Sequence, residues 1–173
     1  MEQQSFDLFN PKTIKLAKDG KRVIVTGSIG ETDEPGDETT FKELTKNAIP
    51  HEDLINVMNR LKSSVLVACG YGAKECKKLV SDLTMLGVHE SGEEDKRGVI
   101  LSAKLQVPGG VIALNTPRIV LSHDTMKIED NVEEVVEDLK VEAYSYLYED
   151  KRADPELFQT KMELVKTTEK KAA

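Results

Sequence analysis

The sequence predicts an α+β fold: an antiparallel sheet of about five strands with helices on one face. Three observations predict it. Val99, Leu101, Ala103, Leu105 and Val107 alternate with Ile100, Ser102, Lys104 and Gln106, the two-residue period of a half-buried strand. Asp19-Gly20 stands between two runs rich in β-branched residues, a strong hairpin signal because both turn residues tolerate positive φ. Two further stretches place apolar residues at three- and four-residue steps, as one-sided helices do.

Residues 1–11 are polar around Phe6, Leu8 and Phe9 and read as a flexible arm ending at Pro11. The hairpin follows, with strands near 12–17 and 22–28. Gly30 to Thr40 is acidic, carries Pro35 and Gly36, and reads as a surface loop. Pro50 then precedes a helix whose apolar face is Leu54, Val57, Met58, Leu61, Val65 and Ala68. Glu52 and Asp53 in its first turn suit the helix dipole, and Gly70 and Gly72 stop it. Residues 73–82 read as a short helix or an irregular link.

Leu83 to His89 reads as a strand, and Ser91-Gly-Glu-Glu-Asp-Lys as a turn. The alternating strand runs from Val99 to Val107, Pro108-Gly109-Gly110 turns the chain, and Val111 to Asn115 returns it. Residues 83–116 therefore form a three-stranded antiparallel meander. Residues 130–149 make the best helix, with a stripe of Val132, Val136, Leu139, Ala143 and Leu147. The order is hairpin, helix, meander, helix in one domain over 12–150, followed by a flexible or weakly helical tail over 151–173.

Composition narrows the function. The chain has 173 residues, 39% of them hydrophobic, with no Trp and only 5% aromatic, so Val, Leu and Ile must fill one modest core. The net charge of −7 argues against an overall basic nucleic-acid-binding surface, though not against a local patch. It fits a protein that meets other proteins. No apolar run is long enough for a membrane span, and the first residues lack the pattern of a signal peptide. These features point to a cytoplasm, where Cys69 and Cys76 stay reduced as small thiols.

Little in the sequence carries chemistry. There is no Gly-x-Ser-x-Gly motif, and Gly70-Tyr-Gly-Ala lacks the third glycine of a dinucleotide loop. The acidic loop does not follow the EF-hand spacing. His51, His89 and His123 are too scattered to supply a zinc site with the cysteines. No catalytic residue, metal ligand or cofactor is predicted. The one mixed cluster is His89, Ser91 and Glu93, two residues apart and so on one side of a strand. It reads first as a polar hairpin tip, and second as a protein-contact loop or a metal or acid–base site. Glu129, Asp130, Glu133, Glu134, Glu137 and Asp138 read as the solvated face of a helix. Asp154-Pro-Glu-Leu-Phe resembles the short tails that dock in bacterial sliding clamps, without the leading Gln. Leu157 and Phe158 read first as packing on the body of the domain, and second as candidate protein contacts.

Four stretches carry a wider resemblance: Ile49-Pro-His-Glu-Asp-Leu, the hairpin from Leu86 to Ile100, Ala113-Leu-Asn-Thr-Pro, and Glu142 to Ala153 with Glu156-Leu-Phe. Over roughly residues 45–158 the chain resembles a group of small tailed-bacteriophage proteins of unassigned activity. The resemblance implies a setting among early phage genes of DNA replication and recombination, in a host cell cytoplasm, and no functional residue. Three readings follow. The first is a non-enzymatic accessory of phage DNA metabolism that binds protein, such as a sliding clamp or another replication protein, and single-stranded DNA. The second is an inhibitor of a host defence or nuclease that uses an acidic decoy surface. The third is an enzyme or a small-molecule or metal-binding protein using the 87–95 loop.

Overall fold

The computed structural model describes residues 6–30, 38–46, 48–121 and 131–151. One antiparallel sheet of seven strands runs through them. β1 (Phe9–Leu16), β2 (Val23–Gly30) and β3 (Glu38–Leu44) come first. After three helices follow β4 (Leu83–Ser91), β5 (Gly98–Val107), β6 (Gly110–Asn115) and β7 (Ile119–Val120). The spatial order is β3-β2-β1-β4-β5-β6, with β7 pairing β5 alongside β6. The sheet is open: β3 and β6 are its edges.

The hairpin signal at Asp19-Gly20 is realised. Gly20 has φ 66°, and Leu16 pairs with Val23 across the turn. β1 begins at Phe9, earlier than the expected start near 12, and takes in Pro11. The ladder shifts register between Pro11 and Thr13, which accommodates a residue with no N–H to donate. The 83–116 meander forms as expected.

The helices lie on one face. α1 (Glu52–Arg60) and α2 (Lys62–Ala68) occupy the stretch expected to be one helix, separated by a tight turn at Leu61. His51 caps α1 through its ring nitrogen. α2 ends in a Schellman closure: the Tyr71 amide donates to Leu66 and the Gly70 amide to Val67, with Gly70 at φ 91°. α3 (Ala73–Leu79) settles the ambiguous 73–82 stretch as helix. α4 (Val132–Tyr148) is capped by Asn131, whose side chain accepts from the Glu133 amide at 2.9 Å.

α1 packs on α4 and β4, α2 on β4 and β5, and α4 on β1. The core between the layers holds Val23, Val25, Leu83, Met85, Val99, Leu101 and Leu105 from the sheet. Leu54, Met58, Leu61, Val65, Val135, Leu139 and Tyr146 come down from the helices. No helix among the described residues is long and apolar enough to cross a membrane.

The expected count of five strands is low by two. β3 forms from Glu38-Thr-Thr-Phe-Lys-Glu-Leu, part of which reads as loop. Thr and Phe favour a strand, and pairing with β2 stabilises what the local pattern leaves unmarked. β7 is two residues long, below what periodicity detects. Residues 31–37 of the acidic loop, and the 152–173 tail with Leu157 and Phe158, lie outside the described residues.

Candidate functional site: the open face of the sheet

Side chains alternate across a strand, so covering one face with helices leaves the other to solvent. The register identifies that face. Lys15 pairs with Ile24 and with Gly87, Thr13 with His89, Thr84 with Lys104, Gly87 with Ser102, and Gln106 with Val111. These residues line a groove of about 900 Å3, together with Lys18, Arg22, Leu86, Glu43 and Asp82.

Shape follows from the bulges. The β4–β5 ladder shifts register between Met85 and Gly87, and the β1–β2 and β2–β3 ladders shift as well. Each extra residue bends its strand and increases the local twist. Gly87 stands at the middle of the groove opposite Lys15. A Cβ there would lie 2.7 Å from the Lys15 Cβ and 2.9 Å from the Ile14 carbonyl oxygen. The missing side chain lets β1 and β4 close up and keeps the floor open.

Lysine and arginine outnumber carboxylates on the lining. Lys15, Lys18 and Lys104 have no ion-pair partner among the described residues, whereas Arg22 is paired with Asp19 at 3.1 Å. Glu43 and Asp82 supply negative charge on the lining. Thr13, Thr84, Ser102 and Gln106 add hydroxyl and amide groups around an aliphatic floor of Ile24, Leu86 and Val111.

The three residues of the expected hairpin-tip cluster take separate partners. His89 reaches sideways to β1, where its Nδ1 and the Thr13 hydroxyl share a hydrogen bond of 2.8 Å. Ser91 faces Arg118, whose Nε donates to the Ser91 hydroxyl at 3.1 Å and whose Nη2 donates to the Ser91 carbonyl at 2.9 Å. Arg118 also donates to the Lys96 carbonyl and so clamps the β4–β5 turn. Glu93 lies exposed in that turn, and its carbonyl accepts from the Lys96 amide at 2.9 Å. Only His89 belongs to the groove. Among the described residues no group of three His, Cys, Asp or Glu could hold a metal ion.

The acidic face of α4 is held by cations from neighbouring elements. Arg97 meets Glu133 at 3.7 Å and hydrogen-bonds Glu137, Arg60 meets Asp138 at 2.6 Å, and Lys151 meets Glu142 at 2.9 Å. Beneath them lies Glu90, only 5% exposed, with Arg97 at 3.0 Å on one carboxylate oxygen and Lys140 at 2.8 Å on the other. Both cysteines are free thiols, Cys76 buried and Cys69 partly so. Burial pushes both thiols up.

Local sequence reading finds the polar set Ser102, Lys104 and Gln106 but not the groove. The groove needs β1 beside β4, a pairing across more than seventy residues that no local pattern announces. No protein-family model matches the chain, and no curated protein and no solved structure is significantly similar to it.

Proposed function

We propose that the protein is a non-enzymatic binding protein and that the open face of its sheet takes single-stranded DNA. The observation that carries the reading is local charge. In a chain of net charge −7, three lysines without an ion-pair partner among the described residues project around one groove on the uncovered face. Such a groove suits a polyanion that tracks along it, and the Thr84 hydroxyl and the second N–H of Gln106, whose first goes to the Gly110 carbonyl, suit phosphate and sugar oxygens. The aliphatic floor offers contact area that does not depend on base identity, so the reading implies weak sequence preference.

The setting in phage DNA metabolism rests on the sequence resemblance. So does a second contact with a replication protein, such as a sliding clamp, through Leu157 and Phe158. The decoy alternative needs free carboxylates on α4, and most of those along the helix are engaged by Arg97, Arg60 and Lys151.

The test is fluorescence anisotropy of labelled oligo(dT) between about 50 and 200 mM salt, where log affinity falls by about 0.7 per neutralised phosphate for single strands. Binding that weakens with salt and is lost when Lys15 and Lys104 are both changed to Glu supports the reading. Absence of binding at the lowest salt removes it. A pull-down from host lysate with and without residues 154–173 tests the second contact, and recovery of the same proteins in both arms ends it.

A further inference from the structure

The two edges of the sheet differ in their protection. An edge strand offers unpaired N–H and C=O groups to any other strand, and proteins usually blunt such edges with charge, proline or bulges. β3, at one edge, carries Glu38, Lys42 and Glu43 in its sequence and pairs with β2 through a register shift. β6, at the other, is Gly-Val-Ile-Ala-Leu-Asn: no charge, no proline, and an unbroken register with β5 from Gly110 to Asn115. Both of its faces reach solvent, with Val111 56% and Ile112 43% exposed.

The hairpin fixes which backbone groups are free. Pro108-Gly109 is a two-residue connection, so Val107 and Gly110 form a hydrogen-bonded pair, and such pairs alternate along the ladder. The Thr116 amide donating to the Leu101 carbonyl at 3.0 Å continues that alternation. Gly110, Ile112 and Leu114 therefore bond inward to β5. Val111 and Ala113 direct their N–H and C=O groups outward, away from the sheet.

We infer that β6 is a self-pairing edge at which a second copy of this chain adds antiparallel, through the outward groups of Val111 and Ala113. The strand complements itself. A two-fold axis at Ala113 sets Ala113 opposite its own copy and Val111 opposite Asn115. On the other face it brings Ile112 against Leu114 twice over, burying both pairs. Like-charge repulsion is absent from the strand, and small Ala113 side chains meet on the groove side. The occupant must be an uncharged strand with apolar residues toward the helix-side face, and β6 itself meets that description. The pairing needs no ligand. Where the groove does bind a polyanion, the two grooves become neighbours on one continuous sheet.

Sedimentation velocity over increasing concentration, without nucleic acid, tests it, with hydrogen exchange read on the same samples. The expected mass rises from 19.2 kDa toward twice that value, and exchange at Val111 and Ala113 slows as it does. Ala113→Pro removes an outward N–H and leaves the inward ladder intact, and Ile112→Lys places a charge on an already exposed position. Each is expected to hold the chain at the monomer mass, with thermal unfolding that matches the wild type at concentrations low enough for both to be monomers. A wild-type monomer at every concentration overturns the proposal. So does a dimer that survives Ala113→Pro, or one that leaves exchange at Val111 and Ala113 unaffected. Oligo(dT) binding is scored separately, so either result stands without the other.

Discussion

The carboxylate of Glu90 on β4 meets the ammonium of Lys140 on α4 at 2.8 Å, inside the seam between the sheet and that helix. Both side chains are almost wholly covered, and the contact is an ion pair rather than an aligned hydrogen bond. Arg97 binds the other Glu90 oxygen and hydrogen-bonds Glu137, so one buried anion ties β4, the 91–97 turn and α4 together. Breaking a buried pair from one side leaves an uncompensated charge. Lys140→Met should cost about 3 kcal/mol in urea unfolding, the low end for such pairs because Arg97 remains. The double variant Glu90→Leu with Lys140→Met should regain most of that loss. A double variant as unstable as the single one would mean that the pair itself stabilises the fold.

The same group gives a pH dependence. Burial pushes the Glu90 carboxyl up, but the close Lys140 ammonium and the hydrogen-bonded Arg97 guanidinium pull it further down, to below the ordinary value of 4.5. A carboxyl whose folded pKa lies below its unfolded one contributes stability that is complete above the unfolded value and is lost as pH falls through the folded one. Wild-type stability should therefore drop more steeply below about pH 4.5 than that of Glu90→Gln, which has no such group to protonate. Parallel curves for the two proteins from neutral pH into that window would count against the linkage.

Gly87 predicts a steric result. Its absent side chain allows Lys15 to sit opposite, with no room for a methyl group between them. Gly87→Ala should destabilise the fold by about 1–3 kcal/mol, the usual cost of forcing extra volume into a packed contact. Gly110→Ala, where a Cβ meets nothing within 4 Å, is the control, with an expected change of less than about 0.5 kcal/mol. Equal losses at both positions would mean that glycine flexibility, and not the close approach of β1 and β4, sets the cost.

Tyr146 anchors the segment that leads into α1. Its side chain is 1% exposed, and its hydroxyl serves the carbonyls of Lys46 at 2.8 Å and Ala48 at 2.7 Å. Tyr146→Phe keeps the ring and removes the donor, and should cost about 1–2 kcal/mol because two partly buried carbonyls lose their shared proton. Backbone exchange should accelerate around 46–50 and not in β5. Uniform acceleration would show a general loss of stability instead.

How much of this was legible depends on how local each signal is. The Asp19-Gly20 hairpin, the alternation from Val99 to Val107 and the stripe on α4 are written within a few residues of each other, and all three elements form there. β3 is specified by its neighbour β2 and was partly hidden in a polar, acidic stretch. The charge on α4 reads as a solvated face, yet Arg97 and Arg60 reach it from elements far away in sequence. The groove is the extreme case. Lys15, Gly87 and Lys104 come from three strands, and only the β1–β4 pairing makes them neighbours. His89, Ser91 and Glu93 fail the other way: their spacing suggests one cluster, but Thr13 and Arg118 draw the first two toward different partners and Glu93 falls in the turn beyond the strand.

Lys15 and Lys104 lead to the last prediction, which separates a groove site from general stickiness. Both project from the floor strands of the open face, and neither has an ion-pair partner among the described residues. Changing both to Gln removes two cations while keeping length and polarity. If each neutralises one phosphate, the slope of log affinity against log salt for oligo(dT) should shrink by about 1.4, at about 0.7 per contact. Lys77→Gln with Lys78→Gln, on α3 outside the groove, removes the same net charge and should leave the slope unchanged. Thermal unfolding of both double variants should match the wild type, since Lys77, Lys78 and Lys104 are exposed and Gln keeps the half-buried stem of Lys15. An equal fall in slope for the α3 pair would show that the whole charge of the molecule, and not the groove, governs binding.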